Sequence, residues 1–318
     1  MKTFYNTVSG KINAIEFAPD RQSDGEHSTT ITLLCIHGFC CDARIFSYIG
    51  TKLSKEGFNV VSIDLPGHGM SNGERGHLDF DACIKSIHQI VGELRKKRSQ
   101  KIFILSHSMG SIFALWHAHM FKGSIDGLIL LCPNVRVPNM KKRFDAEPGA
   151  LKFLLLLFGR IFTPHKRIDV TKAFPLYVKT GGDEIAWMSK DPTVNFRYSY
   201  RFLVDILAVR NSKLSKLSDV GDIPVAILHG RKDRLMYLQV SEEFFKLLCA
   251  NNNSNNNNNN NKEIKTFDCD HWFYDAVFYD QSLTKHKEES RIQITSWIID
   301  WLRSMSNSGN GSTSSDRK

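Results

Sequence analysis

Short runs of consecutive apolar residues alternate along this chain with longer stretches in which apolar residues recur every three or four positions. The runs are "TITLLCI" (30–36), "NVVSIDL" (59–65), "KIFIL" (101–105), "GLILLC" (127–132) and "IPVAILHG" (223–230), with a weaker one at "EIKTFD" (263–268). A short apolar run without polar alternation is the pattern of a strand covered on both faces. The intervening stretches predict helices. One is opened by Asp42, carries Phe46, Ile49 and Leu53 on one side, and is closed by Gly57. A second spans about 79–98 with Ile84, Ile87, Val91 and Leu94 in line; others are expected at about 109–121 and 241–249. A last helix aligns Ile294, Trp297, Ile298, Trp301 and Leu302. Residues 4–17 alternate like two strands turning at "VSGK". The expected fold class is α/β: a mostly parallel central sheet flanked by helices, formed by residues 1–133 and 221–303.

The alternation breaks between residues 134 and 220, which predicts a helical cap inserted into that core. Its most apolar part is "GALKFLLLLFGRIF" (149–162), rimmed by Lys141, Lys142, Arg143, Arg160, Lys166 and Arg167. Such a segment suits either a lid helix packed on the core or a lipophilic entrance with basic flanks. The asparagine tract 251–261 and the Ser/Asn/Gly-rich tail 304–318 hold too few apolar residues to bury surface and are expected to be disordered.

Composition narrows this picture without redirecting it. A hydrophobic content of 42% is ample for a core, and the formal net charge of +9 is spread along the chain apart from Arg95–Arg98. That block reads as a solvated helix end, and no nucleic-acid partner is expected. Seven cysteines without a Cys-x-x-Cys pair argue for buried free thiols rather than a metal or redox site. No secretory signal pattern and no run long enough to span a membrane is visible, so a cytoplasmic setting is expected. His117 and His119, two apart on a helix, diverge and make a poor metal pair.

Candidate chemistry centres on "LSHSMGS" (105–111). Strand, Ser-x-Gly, helix is the context of a nucleophile elbow, with Ser108 as nucleophile and Ser106 where the Gly-x-Ser-x-Gly pattern has its first glycine. A serine hydroxyl needs a base, and the base needs an orienting partner. Asp233 follows the 223–230 run and His271 follows the 263–268 run. Both therefore fall at carboxyl ends of strands, in the order Ser, Asp, His that this kind of elbow uses. The oxyanion donors expected are the backbone N–H groups of Met109 and Phe39, with His37, Gly38, Ser106, His107 and Gly110 shaping the two loops. No metal or cofactor is expected.

The motifs "HGF" (37–39), "DLPGHGMSNGERGH" (64–77), "SHSMGS" (106–111), "HGRKDRL" (229–235) and "DHW" (270–272) resemble the monoacylglycerol lipase and lysophospholipase branch of the α/β-hydrolases, also described as serine aminopeptidase-like. The resemblance covers roughly residues 10–303 but is weak across the cap. It implies an α/β-hydrolase fold and a serine hydrolase cleaving lipid-like esters such as monoacylglycerols or lysophospholipids; the apolar stretch 149–162 and its basic flanks add an expected peripheral membrane contact through the cap. The alternatives are a thioesterase, an acyltransferase, an amide or peptide hydrolase with the same catalytic residues, or a non-catalytic ligand-binding protein on this fold. Oligomeric state is left open.

Overall fold

The computed structural model describes residues 1–19, 31–97, 101–137, 150–173, 188–212, 214–251, 262–271 and 285–307. Eight strands form one sheet: β1 (Lys2–Thr7), β2 (Gly10–Phe17), β3 (Ile31–Ile36), β4 (Asn59–Ile63), β5 (Lys101–His107), β6 (Gly127–Leu131), β9 (Val225–Gly230) and β10 (Lys262–Phe267), in the spatial order β1-β2-β4-β3-β5-β6-β9-β10. β1, β2 and β4 pair antiparallel, and every pairing from β4 to β10 is parallel. The central strands β3, β6 and β9 are buried along their whole length, which is why their sequences lack polar alternation. Helices α1 (Ser47–Lys55), α2 (Phe80–Lys97), α3 (Gly110–Met120), α8 (Leu238–Ala250) and α9 (Lys285–Asn307) cover the sheet.

The parallel strands point the same way, so the segments after β3, β5, β9 and β10 emerge at one carboxyl edge. Open α/β sheets place their sites at that edge. It receives 37–39, 106–110, Asp233 and His271, drawn from residues over 230 positions apart in sequence.

Several boundaries differ from the sequence expectation. β5 continues through Ser106 and His107, because both stay in register with their neighbours, Ser106 with Ile36 and His107 with Leu131. Asp42 accepts the Arg44 N–H, and the first turn after it (Ala43–Phe46) is a 3₁₀ turn that leads into α1. α9 runs through Asn307, so residues 304–307 of the expected tail are helical; the Met305 carbonyl accepts Lys101 Nζ at 2.7 Å. Residues 308–318 lie outside the described residues. Asn251, expected to open the disordered tract, caps α8 and donates to Ser218 Oγ at 2.7 Å, while 252–261 lie outside the described residues.

Between β6 and β9 lie α4 (Ala150–Phe162), β7 (Arg167–Asp169), α5 (Val170–Ala173), β8 (Arg197–Ser199), α6 (Tyr200–Ser212) and α7 (Leu214–Leu217). β7 and β8 form an antiparallel hairpin, Ile168 opposite Tyr198, that sequence reading did not anticipate. Three-residue strands are too short to show periodicity. Among the described residues no helix is long and apolar enough to cross a membrane.

Candidate active site

Ser108 sits at the turn from β5 into α3 with φ of 48°, in the left-handed region that costs a non-glycine residue about 1–2 kcal/mol. Hydrogen bonds hold it there: its N–H donates to the Leu131 carbonyl at 2.9 Å, and its carbonyl accepts from Ser111 and Asn134 at 3.1 Å each. Such strain survives only where the surroundings over-determine it. The turn is so tight that a Cβ on Gly110 would lie 2.4 Å from the Ile36 carbonyl oxygen and 2.7 Å from that of His37. Only glycine fits. Ser106 meets no such limit: it lies in the strand, its φ is not positive, and its hydroxyl is buried 3.3 Å from that of Ser111. The glycine missing from the elbow pattern is therefore dispensable at that position.

Asp233 and His271, 38 residues apart, meet at 2.7 Å between Asp233 Oδ2 and His271 Nδ1. Asp233 Oδ1 accepts the N–H groups of Leu235 and Met236, each at 2.8 Å, so the carboxylate is clamped by its own loop. Burial alone would raise its pKa. The His271 charge and hydrogen bond, His229 and the Met236 N–H outweigh that penalty and hold Asp233 below the usual carboxylate value. With Nδ1 donating to Asp233, the basic lone pair of His271 is on Nε2. Ser108, Asp233 and His271 are 7%, 5% and 4% exposed, a site nearly sealed from water. The His107 ring, next to Ser108 in the chain, lies 5.0 Å from the His271 ring and packs the elbow against the imidazole.

The loop after β3 approaches the elbow closely. A Cβ on Gly38 would lie 2.9 Å from His107 Nδ1 and 3.3 Å from Ser108 Cβ. His37 is structural: its Nε2 accepts the Leu65 N–H at 3.0 Å and its Nδ1 donates to the Gly38 carbonyl at 2.8 Å. Met109 takes helical angles at the head of α3, where leading N–H groups lack intrahelical acceptors. Phe39 is half-buried, with its ring stacked on Tyr198 at 4.3 Å. His117 is buried in α3 while His119 reaches Asp219 at the surface, so the two diverge.

Three contributors escaped sequence reading. His229, inside "HGRKDRL", is buried 3.6 Å from Asp233 Oδ2, donates its Nε2–H to the Met236 carbonyl and accepts the Ser241 hydroxyl at Nδ1, each at 2.8 Å. The "GERGH" segment (73–77) forms a clasp on the stretch between β6 and β9. Arg75 donates to the Gly69 carbonyl (2.6 Å) and across to the Thr193 carbonyl (2.5 Å), the Gly76 carbonyl accepts the Ser199 N–H (2.9 Å), and His77 bonds Ser199 Oγ (2.9 Å). Arg44 adds ion pairs to Asp42 at 2.6 Å and to Asp191 at 2.8 Å. Only the three-dimensional partners reveal these roles.

Among the described residues, two clusters bring three possible metal-ligand atoms within 4.8 Å of one another, Glu74/His77/His165 and Cys132/His229/Asp233. Protein groups already engage both. Glu74 holds the Arg167 guanidinium at 2.5 Å, and Asp233 and His229 are committed as described.

α4 exposes Leu151, Leu154, Leu155, Phe158, Ile161 and Phe162, each at least 60% accessible, on one stripe, and buries Leu156. Of the basic residues expected around it, Arg160 pairs with Asp205 and Arg167 with Glu74, Lys166 is exposed, and Lys141, Lys142 and Arg143 lie outside the described residues.

Residues 27–256 match the family described as serine aminopeptidase, S33 (Hydrolase_4). The monoglyceride lipase homolog of Monkeypox virus is 28% identical over 218 residues, 68% of this chain and 74% of that protein. The AB hydrolase superfamily protein YisY of Bacillus subtilis (strain 168) is 26% identical over 216 residues, 66% of this chain and 77% of its own. In three dimensions the chain is similar to a soluble variant of monoglyceride lipase from Saccharomyces cerevisiae in complex with a substrate analog. The TM-score is 0.71 and the identity 20%, covering 95% of this chain and 94% of that one. The sheet and its connections thus follow the α/β-hydrolase fold.

Proposed function

This chain belongs to the serine aminopeptidase S33 family of α/β-hydrolases, and on that premise we propose that it is a carboxylic-ester hydrolase using Ser108, His271 and Asp233 on a lipid-like ester. The observation that carries the reading is the buried 2.7 Å His271–Asp233 hydrogen bond at the same sheet edge as a strained elbow serine. Ser108 Oγ attacks the ester carbonyl carbon while His271 Nε2 takes its proton. The N–H groups of Met109 and Phe39 hold the developing oxyanion. The carbonyl re-forms, the C–O bond to the alcohol breaks, and His271 returns its proton to the leaving oxygen. Water, deprotonated by His271, then attacks the acyl-serine and releases the acid. Asp233, held ionised, keeps the imidazole in the tautomer this needs and stabilises it when charged.

The exposed α4 stripe supports a monoacylglycerol- or lysophospholipid-like substrate and contact with a membrane surface. Solvent-facing apolar stripes of this kind mark lipid or protein contacts. The relatives named as monoglyceride lipases point the same way. The test is a fluorophosphonate probe followed by peptide mass mapping, with turnover on a monoacylglycerol. Labelling is expected on Ser108, and Ser108→Ala is expected to lose roughly 10⁶-fold in kcat. An unlabelled Ser108, or an alanine variant that turns over normally, refutes the reading.

A further inference from the structure

The cap and the loop after β3 are joined at one buried point. Tyr198, in the cap strand β8, is fully buried, and its Oη accepts the backbone N–H of Cys40 at 3.0 Å across 158 residues of sequence. Its ring stacks on Phe39 at 4.3 Å and 20°, and Phe202 of α6 packs against both, 5.3 Å from Tyr198 and 6.5 Å from Phe39. His68 closes the other side, 5.6 Å from Tyr198 and 5.1 Å from His37.

Cys40 has φ of 60°, a left-handed turn that a side-chain-bearing residue leaves unless something holds it. Within the loop, the Cys41 N–H reaches the Gly38 carbonyl at 3.4 Å and Cys41 Sγ the Phe39 carbonyl at 3.4 Å. From outside the loop, Tyr198 takes the N–H of Cys40 itself at 3.0 Å. The Tyr198 hydroxyl fixes the peptide plane on one side of the Phe39 Cα, and the stacked rings fix its side chain. The plane on the other side carries the Phe39 N–H.

We propose that Tyr198 is a positioning residue for the oxyanion hole, aiming the Phe39 N–H by holding the Cys40 N–H and the Phe39 ring, so that acyl transfer requires the β7–β8 hairpin to be seated on the core. This rests on the assignment of the Phe39 and Met109 N–H groups as oxyanion donors. The clasp described above, from Arg75, Gly76 and His77 to Thr193 and Ser199, then acts on chemistry as well as on cap placement. Ser199 is the neighbour of Tyr198, and a cap that lifts at the clasp takes the phenol with it. Burial pushes the Tyr198 phenol well above its usual range, so it stays a neutral hydroxyl at working pH.

The decisive variant is Tyr198→Phe, which keeps the stacked ring and removes the acceptor. The substrate is p-nitrophenyl acetate, too short to need the apolar stripe of α4. Alongside turnover, the inhibition constant of an alkylboronic acid is measured, because its tetrahedral serine adduct uses the oxyanion donors as the transition state does. The expected result is a fall in kcat of roughly 10–100-fold with KM within about twofold, and weakening of the boronic acid by the same factor. Phe202→Leu, which loosens the stack without touching the hydroxyl, is expected to lower both in parallel by several-fold, and it carries the test should Tyr198→Phe fail to fold. Wild-type turnover and boronate affinity in a folded variant would overturn the proposal. So would lost turnover with unchanged boronate affinity, since that marks general damage. A wild-type protein that fluorophosphonate does not label brings down the parent assignment and this one with it. That failure appears in the wild type and is distinct from one seen only in the variants.

Discussion

Helices α3 and α4 are both strongly apolar, yet they meet opposite environments. In α3 every residue from Gly110 to Ala118 is buried, because the helix follows the elbow into the space between the sheet and its neighbours. A helix apolar all round belongs in a core. In α4 six large apolar side chains at helical spacing face solvent, and its other face buries Leu156 and pairs Arg160 with Asp205 of α6. The same composition thus serves packing beside Ser108 and leaves an open surface on the stretch between β6 and β9. Chain composition cannot distinguish the two; the partner present on each face does.

The sharpest way to break that contrast is to enlarge a side chain in each helix. Gly110→Val pushes atoms into the backbone carbonyls of Ile36 and His37, which belong to the central sheet and cannot yield. It is expected to cost about 3 kcal/mol or more in urea unfolding, whereas Leu154→Phe on the exposed stripe is expected to stay within about 0.5 kcal/mol. Equal effects would erase the distinction.

Function should separate the helices next. Replacing Leu154, Leu155 and Phe158 together by Ser is expected to lower turnover of a long-chain monoacylglycerol in vesicles about tenfold or more, at roughly 1.5 kcal/mol or more per buried apolar side chain lost. Turnover of p-nitrophenyl acetate should change by less than about twofold. Equal losses on both substrates would show that α4 supports the fold and not the acyl chain.

A third comparison uses pH. Burial lowers the His117 pKa in α3 to about 3, and His68 likewise to about 3. The unfolded chain, with these groups near 6.5, binds their protons first. Their contribution to stability is therefore complete above pH 6.5 and drains away as the pH falls toward 3. His117→Phe is expected to flatten the stability–pH slope in that window by ~1.4 kcal/mol per pH unit, read as unfolding midpoints at pH 4, 5, 6 and 7. An unchanged slope would mean His117 is not held neutral. The smallest effect is expected from Ser106→Gly, which restores the elbow pattern but removes the bond to Ser111. A loss of about 1 kcal/mol in thermal unfolding, with kcat within twofold, is anticipated.

Much of the core and its candidate site was legible in the chain. The fully buried strands announced themselves as apolar runs because both faces are covered. Ser108, Asp233 and His271 were legible because each follows such a run, and strand polarity sends all three loops to one edge. The hairpin β7–β8, the His229 support of Asp233 and the clasp at Arg75–His77 were not. Arg75 and His77 meet partners more than 100 residues away, the hairpin strands are too short to carry a period, and the His229 contacts, though within twelve residues, depend on how its loop folds.

The sequence alone determined the α/β alternation, the elbow and the order of its polar partners, because these follow from local periodicity, turn chemistry and strand direction. Tertiary structure alone decided that Ser106 suffices where a glycine was expected, that Tyr198 reaches the loop after β3, and that the apolar stripe of α4 faces solvent. Each depends on which surfaces meet after the chain has closed on itself, and no local pattern encodes that.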